Sequence, residues 1–452
     1  MKAKKKNKKI KVITVCSIVG LLLIMSAVAM IFPLRPTTSE KEKRELAKFP
    51  KFTVSALLSG EYFSDISTWF SDTMPMRDGL ISVNNALQSL LGTDSVQRGF
   101  QEQTASDIPD APSGQPATLP IATDPPADAT SPAETSAPAP ESETAAETPA
   151  DGPMPVNVQT IGSILVADDA GYEYYNFSQS AADSYAGAVN AVAQKLAGVA
   201  TVYDMIVPTS MDIVLDSRVR EKVASDDQKK AISYIEGMLL PEVRRVSIYD
   251  ILKAHRNEYI YYRTDHHWAS MGAYYAYTQF CAVKGVQPFR IEDCTLQSFD
   301  GFLGTFANKD KALAANPDRV DAYTPPGNYV ITIRGKNLNV DEGSVIYDES
   351  KAGASLKYGA FIWGDNAYSM IEDKAKATGE SCLLIKESFG NALAPLLAAN
   401  YKYLYIIDYR HYTGTITQLV REKGITDVVF CNNVSMTRAQ SLIDQLIARI
   451  GS

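Results

Sequence analysis

Only four histidines occur in the chain, and two are adjacent in Thr264-Asp265-His266-His267-Trp268. In an extended stretch, residues two apart share a face, so Asp265 and His267 are expected to point the same way and His266 the other. A carboxylate beside an imidazole fixes its tautomer and stabilises the imidazolium, which is what a general base requires. Two other readings fit the same letters. Asp265 suits the N-cap of a helix starting near Trp268 or Ala269, with the histidines merely packing. Asp265, His266 and His267 could also ligate a metal, but adjacent side chains diverge, and facing ligands come from His-x-His or His-x-x-x-His spacing.

The second chemical element is Lys386-Glu387-Ser388-Phe389-Gly390-Asn391, where the apolar run Cys382-Leu383-Leu384-Ile385 leads into Ser388 and a helix of small residues follows. A serine on a strand-to-helix turn is exposed at a sheet edge, and the helix amino terminus offers N–H groups to an oxyanion. This is the geometry of a nucleophile elbow without its Gly-x-Ser-x-Gly letters. An ordinary Ser N-cap has the same signature. In Gly364-Asp365-Asn366, after the apolar Phe361-Ile362-Trp363, the Asn366 amide is a candidate oxyanion donor, although the tripeptide also reads as a turn. Gly364 and Gly390 stand beside these groups as candidate substrate or oxyanion contacts. Arg410, in Asp408-Tyr409-Arg410-His411-Tyr412, is a candidate for binding an anionic or sugar-linked substrate or for a salt bridge.

Positioning these groups requires an α/β fold. Strands are expected at 164–167, 202–207, 247–251, 259–263, 361–363, 382–385, 404–407 and 428–431, and helices at 181–196, 227–240, 270–283, 391–399, 416–423 and 437–450. The closing β-α-β-α-β-α run, with crossovers of about 12 to 20 residues, is the signature of a doubly wound, mostly parallel sheet covered on both faces. Residues 290–360 break the rhythm and read as an insertion of irregular and β structure. In such a sheet the carboxyl ends of the parallel strands share one edge. Ser388 Oγ is then expected about 3 to 4 Å from a His267 ring nitrogen, with Asp265 on the other nitrogen and His266 turned elsewhere.

The chain has 452 residues, 44 Lys and Arg, 52 Asp and Glu, and a net charge of −8. Seven lysines fall in the first eleven residues, so everything beyond Lys11 carries −15. That part has no basic cluster, which argues against nucleic acid as partner. The basic tail 1–11 precedes an apolar run, Val12 to Phe32, long enough to span a membrane; it reads as a single-pass anchor with the rest of the chain outside, although Ala27 and Ala29 leave a cleaved signal peptide open. Residues 33–100 have helix-like spacing in Ile66, Trp69 and Phe70. Residues 101–155 hold twelve of the 23 prolines and ten acidic residues but no Lys, Arg, Phe, Tyr or Trp. Nothing there can offset the entropy of folding, so the segment reads as a disordered linker. It leads to an α/β domain at 156–452. Five cysteines without Cys-x-x-Cys spacing exclude a zinc finger and a disulfide scaffold. In a parallel sheet Cys382 and Cys431 lie too far apart to bridge, whereas Cys281 and Cys294 remain candidate partners.

Taken together, Thr264-Asp265-His266-His267-Trp268 with its helix, the Lys386–Asn391 element, Asp408-Tyr409-Arg410-His411-Tyr412 and the early Glu42–Phe52, Leu57–Phe63 and Trp69–Asp78 stretches resemble the DHHW family of bacterial surface proteins. That family is similar to the alginate O-acetyltransferase branch of the SGNH (GDSL-like) hydrolases. The resemblance implies an SGNH-like fold in which Asp265 orients, His267 is the base, Ser388 is the nucleophile and Asn366 contacts oxyanion or substrate. Glu387 departs from it, because an Asp more often precedes the serine. The implied function is an outward-facing, membrane-anchored O-acetyltransferase or carbohydrate esterase acting on a cell-surface glycan, with a membrane acyl-donor protein as a candidate partner and no metal or cofactor required. A non-catalytic cell-surface or glycan-binding protein retaining the SGNH-like fold is the alternative.

Overall fold

The computed structural model describes residues 151–451, apart from 153, 336, 337 and 439, together with isolated positions between 38 and 109. The chain divides into two units, 1–95 and 96–452. In the first, Thr38–Ser39 pairs antiparallel with Arg44–Glu45, and the rings of Phe49 and Trp69 meet edge-on at 4.8 Å. The expected membrane span lies outside the described residues, and no helix among those described is long and apolar enough to cross a membrane. Most of the expected linker also lies outside them. Its ends do not read as linker: Ile108 packs on the core of the second unit, and Asp151 pairs with the buried Arg256 at 2.6 Å.

The second unit begins with Gln97–Arg98, which pairs antiparallel with the first of three further short antiparallel strands, β1 (Val158–Ile161), β2 (Ile164–Ala167) and β3 (Ala170–Glu173). Then follow α1 (Gln179–Lys195), β4 (Thr201–Val207), α2 (Gln228–Gly237), β5 (Arg244–Arg245) and α3 (Ser270–Lys284). The 290–360 region supplies β6 (Thr295–Phe302), β7 (Asp318–Thr324), β8 (Tyr329–Arg334) and β9 (Asn339–Gly343). The closing run is β10 (Tyr368–Asp373), β11 (Ser381–Lys386), α4 (Gly390–Leu397), β12 (Tyr403–Asp408), α5 (Ile416–Lys423), β13 (Asp427–Asn433) and α6 (Gln440–Ile447).

An eight-stranded sheet in the order β9-β8-β10-β12-β11-β13-β4-β5 forms the body. The pairings from β12 to β5 are parallel, and those from β9 to β12 are antiparallel. The sheet is therefore mixed, not mostly parallel as expected. The reversal starts at β10, a strand the sequence reading did not expect, which pairs antiparallel with β12, and β8 and β9 from the 290–360 region extend the edge beyond it. β6 and β7 pair only with each other. Every residue of β11 and β13 is buried, as central strands covered on both faces require. Cys382 and Leu384 face one core with α3 and α4, while Leu383 and Ile385 face the other with α1, α2 and α5. In the register of β11 and β13, Cys382 lies opposite Asp427 and Cys431 opposite Lys386. All four described cysteines are free, so the Cys281–Cys294 pairing is absent from the structure.

Three expected strands form no ladder. Residues 249–254 are a short helix, Tyr261 makes only an isolated bridge with Trp268, and at 361–363 the chain turns, with φ of 47° at Ile362 and 64° at Trp363. Ile260, Tyr261 and Tyr262 are all buried, so apolar packing from several sides mimics the pattern of a central strand.

Asp204, on β4, is 2% exposed and accepts a hydrogen bond from Tyr185 at 2.5 Å, while its other oxygen finds no partner among the described residues. Burial, only partly opposed by that bond, pushes its carboxyl up to about 7. The native state therefore holds a proton that the unfolded chain releases near pH 4, so this group lowers stability as pH rises from about 4 towards 7. Asp204→Asn is expected to remove on the order of 3 kcal/mol of that pH dependence, measured by urea unfolding at pH 4.5 and pH 7.5. Parallel pH profiles for the two proteins would contradict it.

Candidate active site

The Asp265–His267 loop does not follow a sheet strand. It is a series of bends enclosed by the Tyr261–Trp268 bridge, which puts Asp265 five residues ahead of the first residue of α3 and leaves Ala269, not Asp265, as N-cap. Asp265 turns back on its own loop instead. Its Oδ1 accepts from the His267 backbone N–H at 3.0 Å and meets His267 Nδ1 at 2.5 Å, while Oδ2 accepts from the Thr305 N–H at 2.7 Å. With Nδ1–H donated to the carboxylate, Nε2 is left as the acceptor, and Ser388 Oγ lies 2.7 Å from it. Burial opposes the charge on Asp265, but His267, the hydrogen bond between them, His266 and Thr305 outweigh it and hold the carboxyl well below the usual carboxylate range.

Ser388 stands where β11 turns into α4, and close packing makes that turn possible. A Cβ at Gly390 would meet the Lys386 Cβ at 2.5 Å, so only glycine lets the helix start so close to the strand. Gly390 is thus a packing residue, and its N–H bonds to the Glu387 carbonyl. The Ser388 N–H makes no hydrogen bond to another described residue. Tyr358 fixes the other side: its ring stacks on His267 at 4.0 Å and its hydroxyl donates to the Ser388 carbonyl at 3.0 Å. Trp268 Nε1–H donates to the Phe389 carbonyl at 2.9 Å, tying the histidine loop to the serine turn.

Glu387 gives the serine hydroxyl a second acceptor. Its Oε2 is 3.2 Å from Ser388 Oγ and 3.2 Å from the Phe389 N–H it accepts from, and Oε1 accepts from the Asn433 N–H at 2.9 Å. Burial pushes its carboxyl up despite Arg410 and these donors. Ser388 opens into a cleft of about 310 Å³ lined by Glu173, His266, Phe389, Arg410 and Arg438 among others. His266 is therefore not turned elsewhere. The bends let its ring lie 3.9 Å from that of His267, with Nδ1 on Thr305 Oγ1 at 2.9 Å, and burial followed by the neighbouring imidazole pushes it below the ordinary histidine range. Ligand atoms of Asp265, His266 and His267 fall within 4.8 Å of one another, yet both His267 nitrogens already contact Asp265 and Ser388. A metal would have to break those contacts.

The Gly364-Asp365-Asn366 turn lies apart from the serine hydroxyl. Gly364, at φ 78°, shapes the turn, and Asn366 spends its amide donors on the carbonyls of Ile362, Trp363 and Gly364, which removes it as an oxyanion donor. The residue between them matters more. Asp365 contacts Lys386 Nζ at 3.0 Å, Asn391 Nδ2 at 2.9 Å and Arg410 at 2.9 Å, while Asp408 contacts Lys386 at 3.2 Å and Arg410 Nε at 2.8 Å. Arg410 thus reaches the cleft from within an ion network under α4. Lys386, Asp365, Asp408, Tyr358 and Thr305 escape sequence reading because their partners are distant in the chain; a lysine inside an apolar strand was the one local signal.

A family described as DHHW protein matches residues 42–114 and 150–407, well over half of the chain. The chain belongs to the DHHW protein family. Among solved structures, a DHHW family protein from Eubacterium siraeum is 28% identical, with a TM-score of 0.60, over 66% of this chain and all of that one. Bacillus cereus PatB1 carrying a sulfonyl adduct matches at 18% identity and a TM-score of 0.51, over 65% of this chain and 100% of that chain. A second PatB1 structure matches at 21% and 0.50, over 62% and 96% respectively. These last two show likeness of fold. No curated protein matches the chain.

Proposed function

We propose that this DHHW protein is a serine acyltransferase or esterase acting on O-acyl groups, in the first place O-acetyl groups, of a cell-surface glycan. The observation that carries the reading is the continuous contact chain from Asp265 Oδ1 through His267 to Ser388 Oγ, 2.5 and 2.7 Å, with Ser388 lining an open cleft. Ser388 attacks the acyl carbonyl, and its proton passes to His267 Nε2 as the imidazolium forms against Asp265. In this reading the Ser388 N–H, two residues ahead of α4 and without another hydrogen-bond partner among the described residues, receives the oxyanion. The carbonyl C–O bond to the leaving alcohol then breaks, with the proton returned from Nε2. A sugar hydroxyl or water, deprotonated by the same nitrogen, takes the acyl group from the serine. The charged groups of the lining, Arg410, Arg438 and Glu173, set beside the apolar Phe389 and Met436, suit the hydroxyls and ring faces of a sugar.

Incubation of the purified full chain with an O-acetylated glycan tests this by acetate release and by acetyl transfer to an unacetylated acceptor. Neither product, with a simple aryl acetate also left intact, would contradict the proposal. The same reading places the chain at a membrane through Val12 to Phe32. Protease added to intact cells is expected to cut between residues 110 and 150 and release a folded carboxyl-terminal fragment, whereas full protection would contradict an outward-facing domain.

A further inference from the structure

The Asp265–His267 loop has a single isolated bridge in place of a sheet ladder, so its precision has to come from contacts outside it. We propose that buried Asp318 and Thr264 form a positioning clamp, built by the β6–β7 pair, that holds the Asp265–His267 pair in register with Ser388. This inference rests on the function proposed above. Asp318 is 1% exposed at the first position of β7, and among the described residues the hydrogen bonds of its carboxylate all run to the chain just before the histidine loop. Oδ1 accepts from the Tyr259 hydroxyl at 2.5 Å and from Arg263 N and Nε at 3.2 Å each. Oδ2 accepts from Thr264 N at 2.7 Å and from Thr264 Oγ1 at 2.6 Å. A buried carboxylate so well supplied with donors is a rigid anchor, because losing any one donor leaves charge unsatisfied.

Thr264 passes that rigidity on. Its hydroxyl oxygen accepts from the Gly304 N–H at 3.0 Å, its carbonyl accepts from the Phe306 N–H at 2.8 Å, and Thr305 between them donates to Asp265 Oδ2 at 2.7 Å. The 303–317 connection is thus laid against the catalytic carboxylate by the residue that precedes it. The approach is close: a Cβ at Gly304 would sit 2.2 Å from the Asp265 Cβ. Displacing Thr264 therefore displaces Asp265 and, through it, the tautomer and aim of His267. Asp318 touches neither substrate nor reacting atoms on this account and acts only through the loop.

Steady-state hydrolysis of an aryl acetate by wild type, Asp318→Asn, Thr264→Val and Thr264→Ser tests the clamp, with thermal unfolding of each protein measured alongside. The expected result is a fall in kcat of at least about tenfold for Asp318→Asn and Thr264→Val with KM within about twofold, since misplacing a catalytic pair affects the chemical step more than binding. Thr264→Ser, which keeps the hydroxyl, is expected within about threefold of wild type. Wild-type kcat in folded Thr264→Val, or Thr264→Ser as slow as Thr264→Val, would overturn the clamp while leaving the nucleophile reading intact. Loss of cooperative unfolding in both Asp318→Asn and Thr264→Val would assign the contacts to stability and overturn it as well. An inert wild type would overturn the proposed function, and the clamp with it.

Discussion

Ser388→Ala is expected to lower kcat/KM for ester cleavage or acyl transfer by at least about a thousandfold, and His267→Ala by a similar factor, because the two act as one unit. The double variant is expected to be no slower than either single one. Asp265→Asn removes the charge facing the imidazolium but leaves nucleophile and base in place, so its cost is expected to be smaller. Glu387 sharpens the test: Ser388 Oγ has Glu387 Oε2 at 3.2 Å as a rival acceptor. If the glutamate were the working base, His267→Ala would retain most activity. Rates within about tenfold of wild type in His267→Ala would therefore contradict the proton route through Nε2.

Lys386→Met is expected to destabilise the α/β body by about 3 to 5 kcal/mol, because it deletes the cation between Asp365 and Asp408 while the charges remain. Lys386 is fully buried, and methionine can follow its aliphatic stem beneath Gly390. Burial opposes the charge on Lys386, but the two carboxylates outweigh it and push its ammonium above the ordinary lysine range. Burial likewise opposes the charges of Asp365 and Asp408, which Lys386 and Arg410 hold below the ordinary carboxylate range. Depressed carboxylates contribute stability above their unfolded value, near pH 4, and lose it as pH falls through the folded values; the raised lysine contributes below about pH 10 and loses it above. The gap between wild type and Lys386→Met is thus expected to stay level from about pH 5 to 9 and to narrow in acid. Urea unfolding across pH checks this, and a gap below about 1 kcal/mol at neutral pH would contradict a stabilising network.

The sheet was legible where local pattern and final environment agree. Cys382–Ile385 and Val428–Cys431 are short apolar runs bounded by turns, and they became the fully buried β11 and β13. Tyr259–Arg263 has the same pattern without the ladder, because Ile260, Tyr261 and Tyr262 are buried by side chains from several elements. Phe361–Trp363 failed similarly: tertiary packing carries Ile362 and Trp363 into the left-handed region, which no propensity scale anticipates for such residues. The mixed character of the sheet was hidden because β10, whose antiparallel pairing with β12 starts the reversal, was not read as a strand, and because β8 and β9 come from a region whose irregular letters read as an insertion. At the site, the close spacing of Asp265 and His267 and the turn position of Ser388 are local properties. What surrounds them is not. Thr305, Asp318, Tyr358 and Asp365 reach the site only through long-range folding, while Asn366 carried the right chemical group in a turn that consumes it.

The central claim is that Ser388 carries the acyl group. Rapid acid quenching of the full chain during turnover of an aryl acetate, followed by peptide mass spectrometry, measures this directly. The account predicts one acetyl group on the peptide containing Ser388, trapped in wild type and absent from Ser388→Ala. Turnover with that peptide unmodified, or acetyl found equally on Ser388→Ala, would contradict it.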